Sequence, residues 1–128
     1  MSFLADTVRL DYTENEGAFL SLGASLPGPW RAAIFTVGCS AAIAALLSYT
    51  LFAARGGYFQ ILGLSLICAG GIGNLIDRWI HGYATDFLNV GIGPVRTGIF
   101  NVADVALLAG CLVVLWSSSI GGSRCSEP

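Results

Sequence analysis

GGIGNLIDRWIHGYATDFLNVGIGPVRTGIFNVAD, residues 70–104, is a polar interruption in an otherwise apolar chain, and its reading decides the fold. It carries Asp77, Asp86 and Asp104 from a total of eight acids, Arg78 and Arg96 from six basic residues, the single histidine His81, and Asn74, Asn89 and Asn101. Ionisable groups at the ends of hydrophobic spans are costly, so a concentration of them there marks a functional site. The sequence on either side must then be read as membrane-spanning.

Composition agrees. With 55% hydrophobic and 11% charged residues in 128, and a mean hydropathy of +0.73, the chain is too apolar for a soluble domain of its size. It reads as a single membrane domain, 1–128. A formal charge of -2 and no lysine leave no basic patch, so no nucleic-acid partner is expected. Cys39, Cys68, Cys111 and Cys125 form no CxxC pair and three lie within apolar runs, so they read as small buried apolar residues, with disulfides or metal the minority reading. With one histidine, neither a metal site nor a cofactor is expected.

Outward from the polar stretch, three spans are predicted. An uncharged run of 23 residues lies between Arg31 and Arg55, and at about 1.5 Å per residue it covers the roughly 30 Å hydrocarbon core. The first span is therefore 31–55. The second, 56–81, ends in Asp77 and Arg78, and the third runs over 99–120 through ALLAGCLVVLWSSSI. Residues 82–98 are expected as a glycine-bearing connecting loop and 121–128 as a loose tail. Residues 1–29 form a polar extramembrane segment with a short strand at VRLDY, then a turn at NEGAF. The predicted fold class is an all-α membrane protein, three transmembrane helices with a small N-terminal β/turn extramembrane segment. Trp30, Trp79 and Trp116 fall near predicted ends, where interfacial indoles are favoured.

Three spans bring the ends bearing Arg31, Asp77 and Asp104 to one membrane face. Asn74, Asp77, Arg78 and His81 follow helical spacing, as do Asn101 and Asp104, so two polar stripes face each other across the connection. No GxSxG motif and no adjacent Cys–His pair supports a nucleophilic enzyme. GGIGN is read as small residues allowing close helix contact. What remains is a carboxylate pair, Asp86 with Asp104. Two close carboxylates share a proton, so one can deprotonate a water while the other protonates the carbonyl or the leaving amine. Each residue also has a plainer reading. Asp77 and Arg78 suit a helix cap or ion pair, Asn74 and Asn101 suit hydrogen bonds between helices, Asp86 suits a turn, and Asp104 suits a helix N-terminus. His81 is given no role. Arginine counting by the positive-inside rule would put the site in the cytoplasm.

GNLIDR (73–78), YATDF (83–87) and FNVAD (100–104), preceded by ENEGAFLSLG (14–23), together resemble the lipoprotein signal peptidase (signal peptidase II) family of membrane aspartyl proteases. The resemblance implies that Asp86 and Asp104 are the catalytic dyad. Asn15, Gly17, Asn74, Asp77, Arg78, Asn101 and Ala103 match the remaining motif positions, and the likeness gives them substrate-binding or structural roles. It implies cleavage of bacterial prolipoproteins before a diacylglyceryl-modified cysteine, in contact with membrane lipid. It also implies a multi-pass protein of the inner membrane with its site facing outward, against the arginine count. That family normally has four spans, the first carrying an Asp-Gln-x-Thr-Lys-like motif that this sequence does not show. The chain is therefore expected to be an N-terminally truncated member or one with a wrongly assigned start, rather than a three-span relative with altered activity. The alternative is a non-catalytic membrane protein that binds lipopeptides in the same groove. Oligomeric state is not indicated.

Overall fold

The structure is a computed structural model that describes residues 1–16, 26–53 and 57–122. Three helices are long and apolar enough to cross a membrane: Gly28–Phe52, Tyr58–His81 and Val102–Ser119, with mean hydropathies of 1.8, 1.7 and 1.8. The first helical run, α1, opens at Gly28 with Pro29 in its first turn, where a missing N–H costs nothing. Its hydrogen bonding widens to π-helical geometry over Ala33–Gly38, returns to α over Cys39–Ser48, and widens again over Tyr49–Ala53. Helix α2 spans Tyr58–His81 and stops at Gly82, whose φ of 86° takes the left-handed cap position while its N–H donates to the Arg78 carbonyl at 3.0 Å. Helix α3 spans Val102–Gly122.

Helices α2 and α3 pack along their small residues. A Cβ on Gly63 would lie 2.8 Å from the Gly110 carbonyl oxygen, and one on Gly70 would lie 2.4 Å from that of Ala103. The two contacts are one heptad apart on each helix and run antiparallel. Without a hydrophobic driving force in lipid, such backbone approach is what helix association uses. α1 touches the opposite side through Ile43, whose Cδ1 would sit 2.1 Å from a Cβ on Gly71. The outer faces keep Ile34, Leu51, Ile61, Leu108 and Leu115 exposed, an exterior suited to hydrocarbon. Cys68 is buried as expected, but Cys39 and Cys111 lie on these exposed faces.

The all-α expectation needs correction. A four-stranded antiparallel sheet, in the order β1-β2-β3-β4, caps one end of the helices. Its strands are Ser2–Phe3, Val8–Asn15, Ala84–Ile92 and Val95–Arg96. The segment 82–98, expected as a loop, is largely the β3–β4 hairpin, and the N-terminal strand continues through the Asn15 where a turn was expected. The physical reason lies in the backbone: strands from two distant segments satisfy each other's N–H and C=O groups, which neither segment could do alone. Beside the hairpin, Arg96 donates to the Asn89 side-chain oxygen and, at 2.8 Å, to the Asp6 carbonyl. Asn89 and Arg96 therefore cluster with Asp6, whose carboxylate lies 3.7 Å from the Arg96 guanidinium.

Candidate active site

Asp86 reaches the site because of two pairings. On one side β3 pairs with β2, with Leu10 opposite Leu88 but Thr13 opposite Asp86, so β2 carries one extra residue between them. Without that bulge, Tyr12 would face Asp86 and Asn15 would fall on the other sheet face, because a one-residue slip exchanges the faces. With it, Asn15 lies opposite Ala84 on the Asp86 side. Its Nδ2 donates to Asp86 Oδ2 at 2.9 Å. On the other side Leu88 bridges to Phe100, whose N–H donates to the Leu88 carbonyl at 2.9 Å. Residue 101 thereby starts α3 beside Asp86.

That start is a capping box. The Asn101 side-chain Oδ1 accepts from the Asp104 N–H at 3.1 Å, and the Asp104 Oδ2 accepts from the Asn101 N–H at 3.2 Å. Asn101 Nδ2 donates both to Asp86 Oδ1 at 2.7 Å and to Asn74 Oδ1 at 2.9 Å. Asn74 in turn donates from Nδ2 to Asp104 Oδ1 at 2.9 Å. Asp86 and Asp104 are thus joined through one pair of asparagines. Asp86 is 3% exposed and Asn101 5%, while Asp104 is half-buried.

Burial is the main influence on Asp86 and pushes its carboxyl above the ordinary aspartate range. The Asn15 hydrogen bond opposes this, the negative charge of Asp104 adds to it, and Asn101 and Arg78 pull the other way. The net direction is up. A buried acid that keeps its proton longer than usual, beside a second carboxylate at a helix N-terminus, is an arrangement able to both give and take protons.

The structure brings Asn15, Asn74, Asp86, Asn101 and Asp104 into this one network. Asp77 stands at its edge: its Oδ2 accepts the Thr85 N–H at 3.0 Å, fixing the residue before Asp86 to the end of α2. Arg78 donates from Nη1 to the Asn74 carbonyl at 3.4 Å. Ala103 lies in the α2–α3 contact, its carbonyl against Gly70 and its methyl toward Gly73. Gly17 lies outside the described residues. His81 stacks on Tyr83 with ring centroids 5.9 Å apart and lies 3.9 Å from Asp77. The signal that went unread in the sequence is Asn101-x-x-Asp104, a capping-box spacing immediately before an apolar run. The β2 bulge and the Leu88–Phe100 bridge have no such local mark. No cluster of metal-ligating side chains occurs among the described residues.

The sequence pattern of the family described as Signal peptidase (SPase) II matches residues 1–120. A lipoprotein signal peptidase of Syntrophomonas wolfei is 32% identical over 123 residues, covering 96% of this chain and 76% of the relative. One from Chlorobium phaeobacteroides is 34% identical, covering 88% and 74%. One from Xanthomonas euvesicatoria is 40% identical, covering 91% and 67%. Among solved structures, a bacterial membrane enzyme determined by the in meso method at 2.3 Å resolution superposes with a TM-score of 0.83 at 25% identity, covering 99% of this chain and 74% of the other. A second, at 1.9 Å resolution, gives 0.77 at 26% identity, covering 91% and 72%.

Proposed function

From the premise that this chain belongs to the signal peptidase II family, we propose that it is an aspartyl endopeptidase that cuts bacterial prolipoproteins before a diacylglyceryl-modified cysteine. The observation that carries the reading is that Asp86 and Asp104 accept hydrogen bonds from the same Asn101–Asn74 pair. In this mechanism one carboxylate takes a proton from water, and the hydroxide adds to the scissile carbonyl carbon. The other carboxyl gives its proton to the carbonyl oxygen. As the tetrahedral intermediate collapses, the first group returns its proton to the leaving nitrogen and the second recovers one from the intermediate. No metal and no protein nucleophile is required.

The site lies where the helix ends meet the sheet, so the lipid of the substrate would lie along the apolar helices while the peptide crosses at headgroup depth. The reading includes an inner-membrane location with the sheet and dyad on the outer side. Asn15, Asn74 and Asn101 shape the pocket, with Asp77 and Arg78 supporting its walls; Gly17 and Ala103 keep the structural roles implied by their motif positions.

The test is cleavage of a diacylglyceryl-modified precursor by the purified chain in lipid. Asp86→Asn and Asp104→Asn should each lower the rate by at least about a thousandfold while thermal unfolding stays near that of the parent. Parent-like cleavage by either variant would remove the dyad. Lipopeptide binding without cleavage by the parent itself would instead identify a binding protein.

A further inference from the structure

The hydrogen bonds between the two aspartates have a fixed direction, and its origin can be traced. A backbone N–H can only donate, so the Asn101 atom facing the Asp104 N–H must be its oxygen. The amide nitrogen of Asn101 is therefore turned the other way, and its two hydrogens go to Asp86 Oδ1 and Asn74 Oδ1. With its oxygen thus engaged, Asn74 has only its nitrogen left to face Asp104 Oδ1. Reversing either amide would set donor against donor inside a buried cluster, a loss of about 1–3 kcal/mol per unsatisfied group.

The surroundings of the two acids differ in kind. Asp104 is in the first turn of α3, where its two oxygens receive one backbone N–H and the Asn74 amide, and where the helix dipole favours negative charge. Asp86 is nearly fully buried on a strand, and its donors among the described residues are the side-chain amides of Asn15 and Asn101. Resting on the dyad reading above, we infer that Asn74 and Asn101 are positioning residues: Asn74, with the N-terminus of α3, holds Asp104 as the carboxylate that activates water, while Asn101 loosens the hold of buried Asp86, the acid, on its proton.

Charged groups flank the pair on each neighbouring element. From α2, Arg78 draws Asp86 toward its charged form, and Asp77 is committed to the Thr85 N–H. From β2, Thr13 and Asn15 share the Asp86 side and do not titrate, while Glu14 between them points to the other face. Arg31 of α1 pairs with Glu16, and the only ionisable acid or base of α3 within the described residues is Asp104 itself. Arg78 and the Asn15 and Asn101 amides oppose the assignment, and burial with the charge of Asp104 outweighs them at Asp86.

Two variants test this on the full chain, using a diacylglyceryl-modified precursor at concentrations up to saturation across pH. Asn101→Ser keeps a good N-cap oxygen for α3 but removes the amide donor to Asp86. It should lower kcat by about tenfold and move the alkaline limb of the profile up by about one pH unit, since Asp86 then releases its proton less readily. Asn74→Leu removes the donor to Asp104 and should lower kcat by about the same factor while leaving KM and the alkaline limb in place. A purely structural role would change melting temperature without moving the alkaline limb in Asn101→Ser or lowering kcat at unchanged KM in Asn74→Leu. Each variant decides on its own: an unmoved alkaline limb in Asn101→Ser, or a moved alkaline limb or a raised KM with unchanged kcat in Asn74→Leu, overturns the inference even if the parent cleaves normally. A parent that does not cleave at all defeats the function reading instead, and the inference with it.

Discussion

Asp86 is the residue on which the proposed chemistry turns, because burial pushes it toward the protonated state that the proposed acid needs. Its carboxyl is held above the ordinary range chiefly by loss of solvent. The sign follows directly. An acid with a raised value keeps its proton to higher pH, so a step that needs Asp86 protonated fails as pH rises through that value and is preserved below it until the partner carboxylate is protonated too. Asn15 donates to Asp86 Oδ2. Asn15→Leu should therefore move the alkaline limb of kcat up by about one pH unit and reduce kcat by about tenfold, measured on purified protein with the lipidated precursor. A limb that stays in place would show that this bond does not act on the proton. At this scale the sequence was informative about identity but not about partners. The Asn101-x-x-Asp104 spacing could be read locally as a capping box, whereas the Asn15–Asp86 bond joins residues 71 positions apart.

Between elements, the decisive feature is how closely α2 and α3 approach. Gly70 in GGIGN and the second pair at Gly63 and Gly110 leave no space for a side chain at the crossing. Gly63→Val should destabilise the protein by at least about 2 kcal/mol through overpacking, read as a lower thermal midpoint in detergent. Gly38→Ala is the matched control, since nothing lies within 4 Å of its added carbon; it should leave the midpoint unchanged or raise it, by up to about 1 kcal/mol. The second element-scale device is the β2 bulge. Deleting Tyr12 removes the extra residue yet leaves Thr13 opposite Asp86 and Asn15 opposite Ala84 in one regular register, so it should keep activity within about a few-fold of the parent, as a straightened strand allows. An insertion of one residue between Thr13 and Asn15, which turns Asn15 to the other face, should instead give the loss of Asn15→Leu with the helices still folded by circular dichroism. Small residues at helical spacing announce close packing in a sequence. A bulge does not, because it exists only relative to a partner strand.

For the molecule as a whole, pairing of β2 with β3 puts the N-terminal segment, the hairpin and the start of α3 on one side of the helices. The proposed outward orientation predicts that Ile92→Cys, in a background where Cys39, Cys68, Cys111 and Cys125 are alanine, is labelled by a membrane-impermeant maleimide in spheroplasts. Ile92 is 80% exposed at the hairpin tip, so access is not limited by burial. Labelling only after lysis would reverse the orientation. By itself, the sequence determined that this chain has three membrane-crossing lengths and a polar stretch between the last two, because hydropathy and length are properties of contiguous residues. It also carried the family motifs. The tertiary structure alone decided that the polar stretch becomes a sheet and that two asparagines link the two aspartates with a fixed direction. Those features depend on hydrogen bonds between groups distant in the chain, and each donor is assigned only once its neighbour's is known.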